Sequence, residues 1–164
     1  MSVYAIVTQP GIRYRLPKSV RIISSDDYGR VLRSDEPGSI RLGRDSVSVC
    51  VSTHLKTGRV RFGFTVGKHN VPRSVDRALV KRLMRECVRH ALPTIVEICK
   101  EHQVGAEISL RMRSSLKSVG SAVSTAQAKA MVRGSVQACL RAVIKRLPAA
   151  AKRAHEQVQC PKSS

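Results

Sequence analysis

The feature that most constrains how this chain can fold is a run of cations spaced four residues apart within a segment rich in apolar residues. This run, which we call the cationic stripe, consists of Arg73, Arg77, Lys81, Arg85 and Arg89, with Arg82 beside it. An α-helix turns by about 100° per residue, so positions four apart form one slowly drifting line on its surface. Apolar residues from Val75 to Cys87 lie mainly on the other side of such a helix. The pattern therefore predicts an amphipathic helix over about 73–91, with one face in a core and a cationic face turned outward.

Neighbouring acids do not balance these charges. Only Asp76 and Glu86 offset the seven Lys and Arg residues between Lys68 and Arg89. Like charges one helical turn apart repel by about 0.2–0.5 kcal/mol per pair, so a bound polyanion would relieve the repulsion. The whole chain has the same bias, with a formal net charge of +19 at pH 7 and a pI of about 10.9. We therefore expect a nucleic acid as the first candidate partner and an anionic membrane surface as the second.

Two stretches before this helix alternate apolar and polar residues, as half-buried strands do. Valines occupy every second position in 45–52, and two valines and two phenylalanines do so in 59–66. Residues 56–58 between them, Lys-Thr-Gly, have the composition of a turn. The two stretches therefore predict a β-hairpin. Residues 105–113 are typical of a third strand.

A short helix is predicted before these strands. Ser24 or Ser25 can cap it, because a serine side chain accepts a hydrogen bond from a free N–H group of the first turn. Asp26 and Asp27 would then lie in that first turn, where the helix dipole favours negative charge.

Prolines are expected to divide the remaining helical sequence, because proline removes a backbone donor. Pro93 would interrupt the cationic helix, with a second helical segment over 94–102. Residues 125–147 have helical spacing, and Pro148 would end that helix. The length of 164 residues suits one domain with tails. We predict three parts: an N-terminal extension over 1–14, a folded domain over 15–148 and a basic C-terminal tail over 149–164.

The cellular compartment can also be inferred from composition. No apolar run approaches the roughly 20 residues that a membrane-spanning helix needs. The five cysteines are scattered and odd in number, which disfavours a disulfide framework. We therefore expect a reducing, cytoplasmic environment and no membrane partner.

The cationic helix and the strand before it carry a family signature. The segment reads RFGFTVGKHNVPRSVDRALVKRLMREC over 61–87, and it resembles the signature of the bacterial ribonuclease P protein subunit. The matching residues are Arg77, Lys81, Arg82, Arg85 and Glu86. Ala78 and Leu79 stand where the family has Asn and Arg. Three further segments resemble family elements in the same order: 16–32, 105–115 and 125–147.

The resemblance implies a fold of the α+β class, with 15–148 as the ribonuclease P protein domain. This fold would be a two-layer α/β sandwich, in which helices pack on a central, mostly antiparallel sheet. A left-handed crossover would connect two of its strands, as in a domain of a ribosomal protein. Right-handed crossovers are the general rule, so this handedness follows from the resemblance alone.

The resemblance also implies a function. The holoenzyme would be an endonuclease that removes the 5′ leader of precursor tRNA, with the chemistry carried by a large RNA subunit and its Mg²⁺ ions. The protein would have no catalytic residue and no metal site of its own, and it would bind RNA rather than DNA. Its expected contacts to the RNA subunit are Lys68, Asn70, Arg73, Arg77, Lys81, Arg82 and Arg85. Tyr28 and Leu32, one helical turn apart, would line a cleft that holds the leader.

Two other classes of protein stay open at this point. A non-catalytic RNA-binding or ribosome-associated protein of the same fold would share the cations without affecting tRNA processing. A basic DNA-binding protein is the other class. A helix-turn-helix needs two helices joined by a short turn, whereas strands precede the cationic helix here.

Two patterns suggest sites of another kind. Residues 61–66 come close to the aromatic strand of an RNA recognition motif but lack its final aromatic residue. Cys-x-x-His occurs twice, at Cys87 to His90 and at Cys99 to His102, and zinc takes such ligands. Buried thiols and surface imidazoles are the ordinary alternative for these four residues.

The acidic residues offer little for catalysis. Asp26-Asp27 and Asp35-Glu36 are adjacent pairs, which helix capping and turn formation explain. No histidine or serine has a catalytic spacing to them. The sequence thus predicts a protein that binds a polyanion and does not itself cleave it.

Overall fold

The computed structural model describes residues 16–115 and 126–159. These residues form a four-stranded sheet, three α-helices and a 3-10 turn at Lys18–Val20. The strands are β1 (Ile40–Arg44), β2 (Val47–His54), β3 (Val60–Thr65) and β4 (Gly105–Met112). The helices are α1 (Ser25–Arg33), α2 (Ser74–Glu101) and α3 (Ala126–Gln159). No helix in these two ranges is long and apolar enough to cross a membrane. The N-terminal extension expected over 1–14 lies outside the described residues.

The strands are ordered β1-β2-β4-β3 across the sheet. β4 is antiparallel to β2 and parallel to β3. The predicted hairpin between 45–52 and 59–66 is therefore wrong, because β4 lies between these two strands. Alternation shows which face of a strand is buried, but it does not show which strand lies beside it. β2 instead forms a hairpin with β1, through a turn in which Asp45 has a φ of 46°, a conformation that aspartate tolerates.

The expected α+β class is confirmed, with a mostly antiparallel sheet and the predicted third strand at β4. The one parallel pair, β3 with β4, is connected through α2. The left-handed sense of this crossover stays a prediction.

One face of the sheet forms the core with α2 and α3. Val49, Leu110 and Phe64 lie beside one another on three neighbouring strands, and none is more than 8% exposed. α3 packs against β1 and β2, whereas α2 packs against β3 and β4. Full burial of such a side chain contributes about 1.5–3 kcal/mol. This face therefore anchors both long helices.

Both long helices continue through a proline, contrary to the sequence prediction. α2 passes Pro93 and ends at Glu101, and α3 passes Pro148 and ends at Gln159. A proline inside a helix costs about 3 kcal/mol or more, but each helix buries further side chains beyond its proline. These are Ile95, Ile98 and Cys99 in α2, and Ala150, Ala151 and Ala154 in α3. Packing on both sides of the proline offsets the missing hydrogen bond.

The last turns of α3 are docked on the domain. Arg153 Nε donates to the carbonyl oxygen of Pro37 at 2.7 Å. His155 Nε2 lies 2.9 Å from the carbonyl oxygen of His102, at the end of α2. Residues 149–159, expected in a basic tail, are therefore helical and packed.

The first helix begins as predicted. Its N-cap is Ser24, whose Oγ accepts a hydrogen bond from the backbone N–H of Asp26 at 3.2 Å. Asp26 and Asp27 occupy the first turn, where the helix dipole favours them.

Candidate nucleic-acid interface

The outer edge of β3 is closed by the residues that lead into α1. The backbone N–H of Ile22 donates to the carbonyl oxygen of Phe62 at 2.8 Å. The backbone N–H of Phe64 donates to the hydroxyl oxygen of Tyr28 at 2.7 Å. β3 is an edge strand, so its outward N–H and C=O groups need such partners. The two bonds fix α1 directly beside the sheet.

Gly63 lets α1 approach the sheet closely. A Cβ at this position would lie 2.6 Å from Tyr28 Cζ and 2.8 Å from the Tyr28 hydroxyl oxygen. Gly63 lies between Phe62 and Phe64 in the strand, and the side chains of both phenylalanines are buried in the core. Successive residues of a strand point to opposite faces, so Tyr28 and α1 lie on the face of the sheet away from α2 and α3.

A groove with a volume of about 420 Å³ lies between this edge of the sheet and α2. We call it the edge groove, and its lining residues are Arg21, Ile22, Ile23, Tyr28, Phe64, Thr65, Val66, Lys81 and Arg85. It brings Tyr28 together with Lys81 and Arg85, which the sequence alone assigns to two separate sites. The Arg85 guanidinium carbon lies 5.8 Å from the centroid of the Phe64 ring, within the range of a cation–π interaction. The groove therefore presents aromatic surface and positive charge side by side.

The other expected RNA contacts of this region lie outside the groove. Lys68, Arg73 and Arg82 are exposed. Arg77 is half-buried, and its Nη1 donates to the carbonyl oxygen of Val71 at 3.0 Å. Arg77 thus also holds the loop that precedes α2.

Asn70 differs from these cations because it is not a surface residue. Only 5% of it is exposed, and its Nδ2 donates to the carbonyl oxygen of Met112 at 2.9 Å. The side chain ties the loop before α2 to the end of β4. The amide of Asn70 already makes a hydrogen bond inside the protein, so this residue positions the loop. Its side chain does not face the solvent, whereas a contact to RNA would require an exposed side chain.

Three further residues of interest also lie away from the groove. Leu32 is half-buried, does not line the groove, and its carbonyl oxygen accepts a hydrogen bond from Arg41 Nη2 at 2.8 Å. Of the two departures from the family signature, Ala78 is exposed and Leu79 packs against the core. Leu79 thus has a packing role.

A second cavity, with a volume of about 600 Å³, is lined by residues of α1 and of the sheet and contains an ion-pair network. Arg61 contacts Asp27 Oδ2 at 3.1 Å and also contacts the Glu107 carboxylate. Arg30 is the second cation on Asp27. The Arg30 guanidinium, and after it that of Arg61, holds the pKa of the Asp27 carboxyl below its usual value. The network joins α1 to β3 and β4, and the sequence does not reveal it because its partners are far apart in the chain.

The zinc alternative finds no support in the geometry. Burial raises the pKa of Cys87 to about 11, and it does the same for Cys99. Both thiols belong to the hydrophobic core. Within 16–115 and 126–159, no three His, Cys, Asp or Glu side chains are grouped so that they could hold a metal ion.

Most of the fold described above falls within the part of the chain that matches one family of proteins. A sequence model of that family, ribonuclease P, matches residues 16–118, well over half of the chain. This chain belongs to the ribonuclease P family. The match covers the four strands, α1 and α2, and α3 begins beyond it. Membership gives the chain a role in ribonuclease P and thus in tRNA processing.

Solved structures share the fold of this family member. One is a mutant of the Staphylococcus aureus RNase P protein with defective mRNA degradation activity. Its sequence is 18% identical to this chain, and the TM-score is 0.54. The alignment covers 77% of this chain and 89% of that chain. Another is the RNase P protein from Staphylococcus aureus, at 19% identity, 80% and 94% coverage, and a TM-score of 0.51. At such identities the likeness shows the fold. A comparison with curated proteins gives no match.

Proposed function

We propose that this chain is the RNA-binding protein subunit of ribonuclease P and acts in the cytoplasm. It binds the catalytic RNA subunit and the 5′ leader of precursor tRNA, and it assists the endonucleolytic removal of that leader. The observation that carries the proposal is the edge groove, in which two aromatic rings, those of Tyr28 and Phe64, and two cations of the cationic stripe line the same surface.

The edge groove suits a single strand of RNA better than a double helix. A single strand offers both charged phosphates and the flat faces of unpaired bases, and proteins hold it with cations and aromatic rings. Tyr28 supplies a ring, Ile23 adds apolar surface that is 72% exposed, and Lys81 and Arg85 supply charge. Stacking on a ring contributes about 1–3 kcal/mol per base and tolerates any sequence, as an unpaired leader requires.

The cations outside the groove contact the RNA subunit. Lys68, Arg73 and Arg82 are exposed around the N-terminal half of α2, so they are accessible to phosphates. Phosphate contacts of this kind set the position of a protein on RNA without reading its sequence. The groove and the α2 surface are adjacent, so one protein can hold the leader next to the RNA subunit.

We assign the cleavage chemistry to the RNA subunit and its Mg²⁺ ions, which would activate a water molecule for attack on the phosphodiester. Mg²⁺ binds to proteins mainly through carboxylate oxygens and water. In the larger cavity, the Asp27 and Glu107 carboxylates are engaged by Arg61, which makes these two groups poor ligands for Mg²⁺. The same engagement leaves neither carboxylate free to act as a general base.

This division of labour is tested by incubating precursor tRNA and Mg²⁺ with the protein alone, the RNA subunit alone, and both together. We expect specific 5′ cleavage only when the RNA subunit is present, and faster cleavage when the protein is added to it. Specific 5′ cleavage by RNA-free protein, surviving repurification, would contradict the assignment. RNA binding without any effect on processing would instead indicate a non-catalytic RNA-binding protein of the same fold.

A further inference from the structure

Helix α3 carries a second set of unbalanced cations on its outer side. We call this set the α3 ridge, and its members, all exposed, are Arg141, Lys145, Arg146, Lys152 and Arg153. Glu156 is the one acid between Arg141 and the end of α3. Glu156 Oε1 lies 4.0 Å from Lys152 Nζ, and both side chains are more than half exposed. Such a pair is weak in water, so the ridge remains strongly positive.

The ridge is held on a rigid support. The opposite side of α3 buries Leu140, Val143, Leu147 and Ala150, each 1% exposed or less, and the helix packs there against β1 and β2. The bond from Arg153 to the Pro37 carbonyl holds the last turns in place. Cations on a support that is already ordered lose little conformational freedom when they bind a ligand.

The composition of the ridge suits the backbone of a double helix better than an unpaired strand. Lys145 and Lys152 are seven residues apart, as are Arg146 and Arg153, so each pair lies on one side of α3 about 10.5 Å apart along its axis. α3 contains no Phe, Tyr or Trp, so the ridge offers no ring on which an unpaired base could stack. Double-helical RNA is recognised mainly through its shape, its phosphates and its 2′-hydroxyl groups. A set of cations on one helix without aromatic residues suits that partner.

We propose that the α3 ridge binds the sugar–phosphate backbone of a double-helical RNA segment while the edge groove holds a single-stranded one. The two surfaces lie toward opposite edges of the sheet, because α3 packs on β1 and β2 whereas the groove borders β3. One protein molecule can therefore contact two RNA segments at once. This inference goes beyond the proposed function, which requires only the groove and the α2 cations.

Three variants of the full chain carry the test. The ridge variant replaces three exposed cations of α3 that make no hydrogen bond to another element: Lys145→Ala, Arg146→Ala and Lys152→Ala. The charge-matched control removes three exposed lysines elsewhere: Lys18→Ala, Lys56→Ala and Lys100→Ala. The groove variant is Lys81→Ala with Arg85→Ala. Arg153 is left intact because it holds α3 to the loop at Pro37.

Each variant is titrated against an RNA duplex of unrelated sequence and against a single strand of the same length, over a range of salt concentrations. For the ridge variant we expect the log–log salt dependence of duplex binding to flatten by about 0.9 for each phosphate that the protein no longer neutralises, or about 2.7 for three phosphates. Its single-strand slope should match that of the charge-matched control. The groove variant should show the reverse, with a single-strand slope flatter by about 0.7 for each such phosphate.

A ridge variant that behaves like the charge-matched control on the duplex would overturn the proposal, and so would equal losses on duplex and single strand. A loss seen only with anionic phospholipid vesicles would also overturn it and would make the ridge a membrane-binding surface. Melting temperatures check that the variants are folded. If the alanine variant of the ridge is destabilised, a glutamine variant takes its place, with Lys145→Gln, Arg146→Gln and Lys152→Gln. Neither RNA is a precursor tRNA or the RNA subunit, so the result does not depend on whether the proposed function is correct.

Discussion

The edge groove and the α3 ridge are both cationic, but they are built in opposite ways. The groove is assembled from the start of α1, the edge of β3 and the N-terminal half of α2. The ridge belongs to a single helix that lies wholly beyond the part of the chain matched by the family. The groove places its cations beside aromatic and apolar surface, whereas the ridge carries cations alone. A net charge of +19 therefore does not define one binding site. Under our two proposals, the surroundings of each cation decide which form of RNA it binds.

The difference in construction also predicts a difference in tolerance to mutation, and a matched pair of glycines tests it. Gly63→Ala is expected to lower the free energy of unfolding by about 1–3 kcal/mol, because the added Cβ would displace the Tyr28 ring. Gly134→Ala, in α3, meets nothing within 4 Å and is expected to raise that free energy by about 0.4–1 kcal/mol. Denaturant titration measures both changes. If Gly63→Ala were as stable as the wild type, Tyr28 would not pack over Gly63.

A smaller effect, confined to acid, is expected from the network that holds α1 on the sheet. The pKa of Asp27 is lowered in the folded protein, so its ionised carboxylate stabilises the fold. This contribution is complete above the unfolded-state pKa of about 3.8 and is lost as the pH falls through the lower folded-state pKa. The difference in unfolding free energy between wild type and Asp27→Asn should therefore be constant from about pH 7 to 5 and shrink below about pH 4.

Asp26→Asn is the matched control for this measurement, because Asp26 is exposed and lies outside the network. Its stability difference from the wild type should show no comparable loss in acid. If the Asp27→Asn difference were the same at pH 3 as at pH 7, the ion pairs with Arg30 and Arg61 would not support the fold.

Local patterns in the sequence predict much of this fold. The Ser24 cap, the amphipathic face of α2 and the strands β2, β3 and β4 each follow from neighbouring residues. Strand pairing does not, because β4 reaches its place between β2 and β3 only after the whole of α2. The helix ends predicted at Pro93 and Pro148 are wrong for a similar reason, since the packing that carries each helix past its proline involves other elements.

The candidate site can likewise be predicted only where it depends on neighbouring residues in the sequence. The exposure of Lys68, Arg73 and Arg82 follows from their position in the helical pattern or the loop before it. The burial of Asn70 does not, because its partner is a carbonyl of β4. The edge groove itself is beyond sequence reasoning, because it depends on Tyr28 meeting Gly63 and Phe64 across the sheet.

The central claim is that the edge groove holds the single-stranded leader, and its most direct test is a pair of affinities. The reconstituted holoenzyme is titrated with precursor tRNA and with mature tRNA, in Ca²⁺ to suppress cleavage. Tyr28→Ala is expected to weaken precursor binding by about 5–150-fold, the equivalent of about 1–3 kcal/mol of stacking, and to leave mature tRNA almost unaffected. Tyr28→Phe, which keeps the ring and removes the hydrogen bond to Phe64, should retain most of the precursor affinity. Equal losses for the two tRNAs, or a lower melting temperature without any selective loss, would contradict the claim and assign Tyr28 to packing alone.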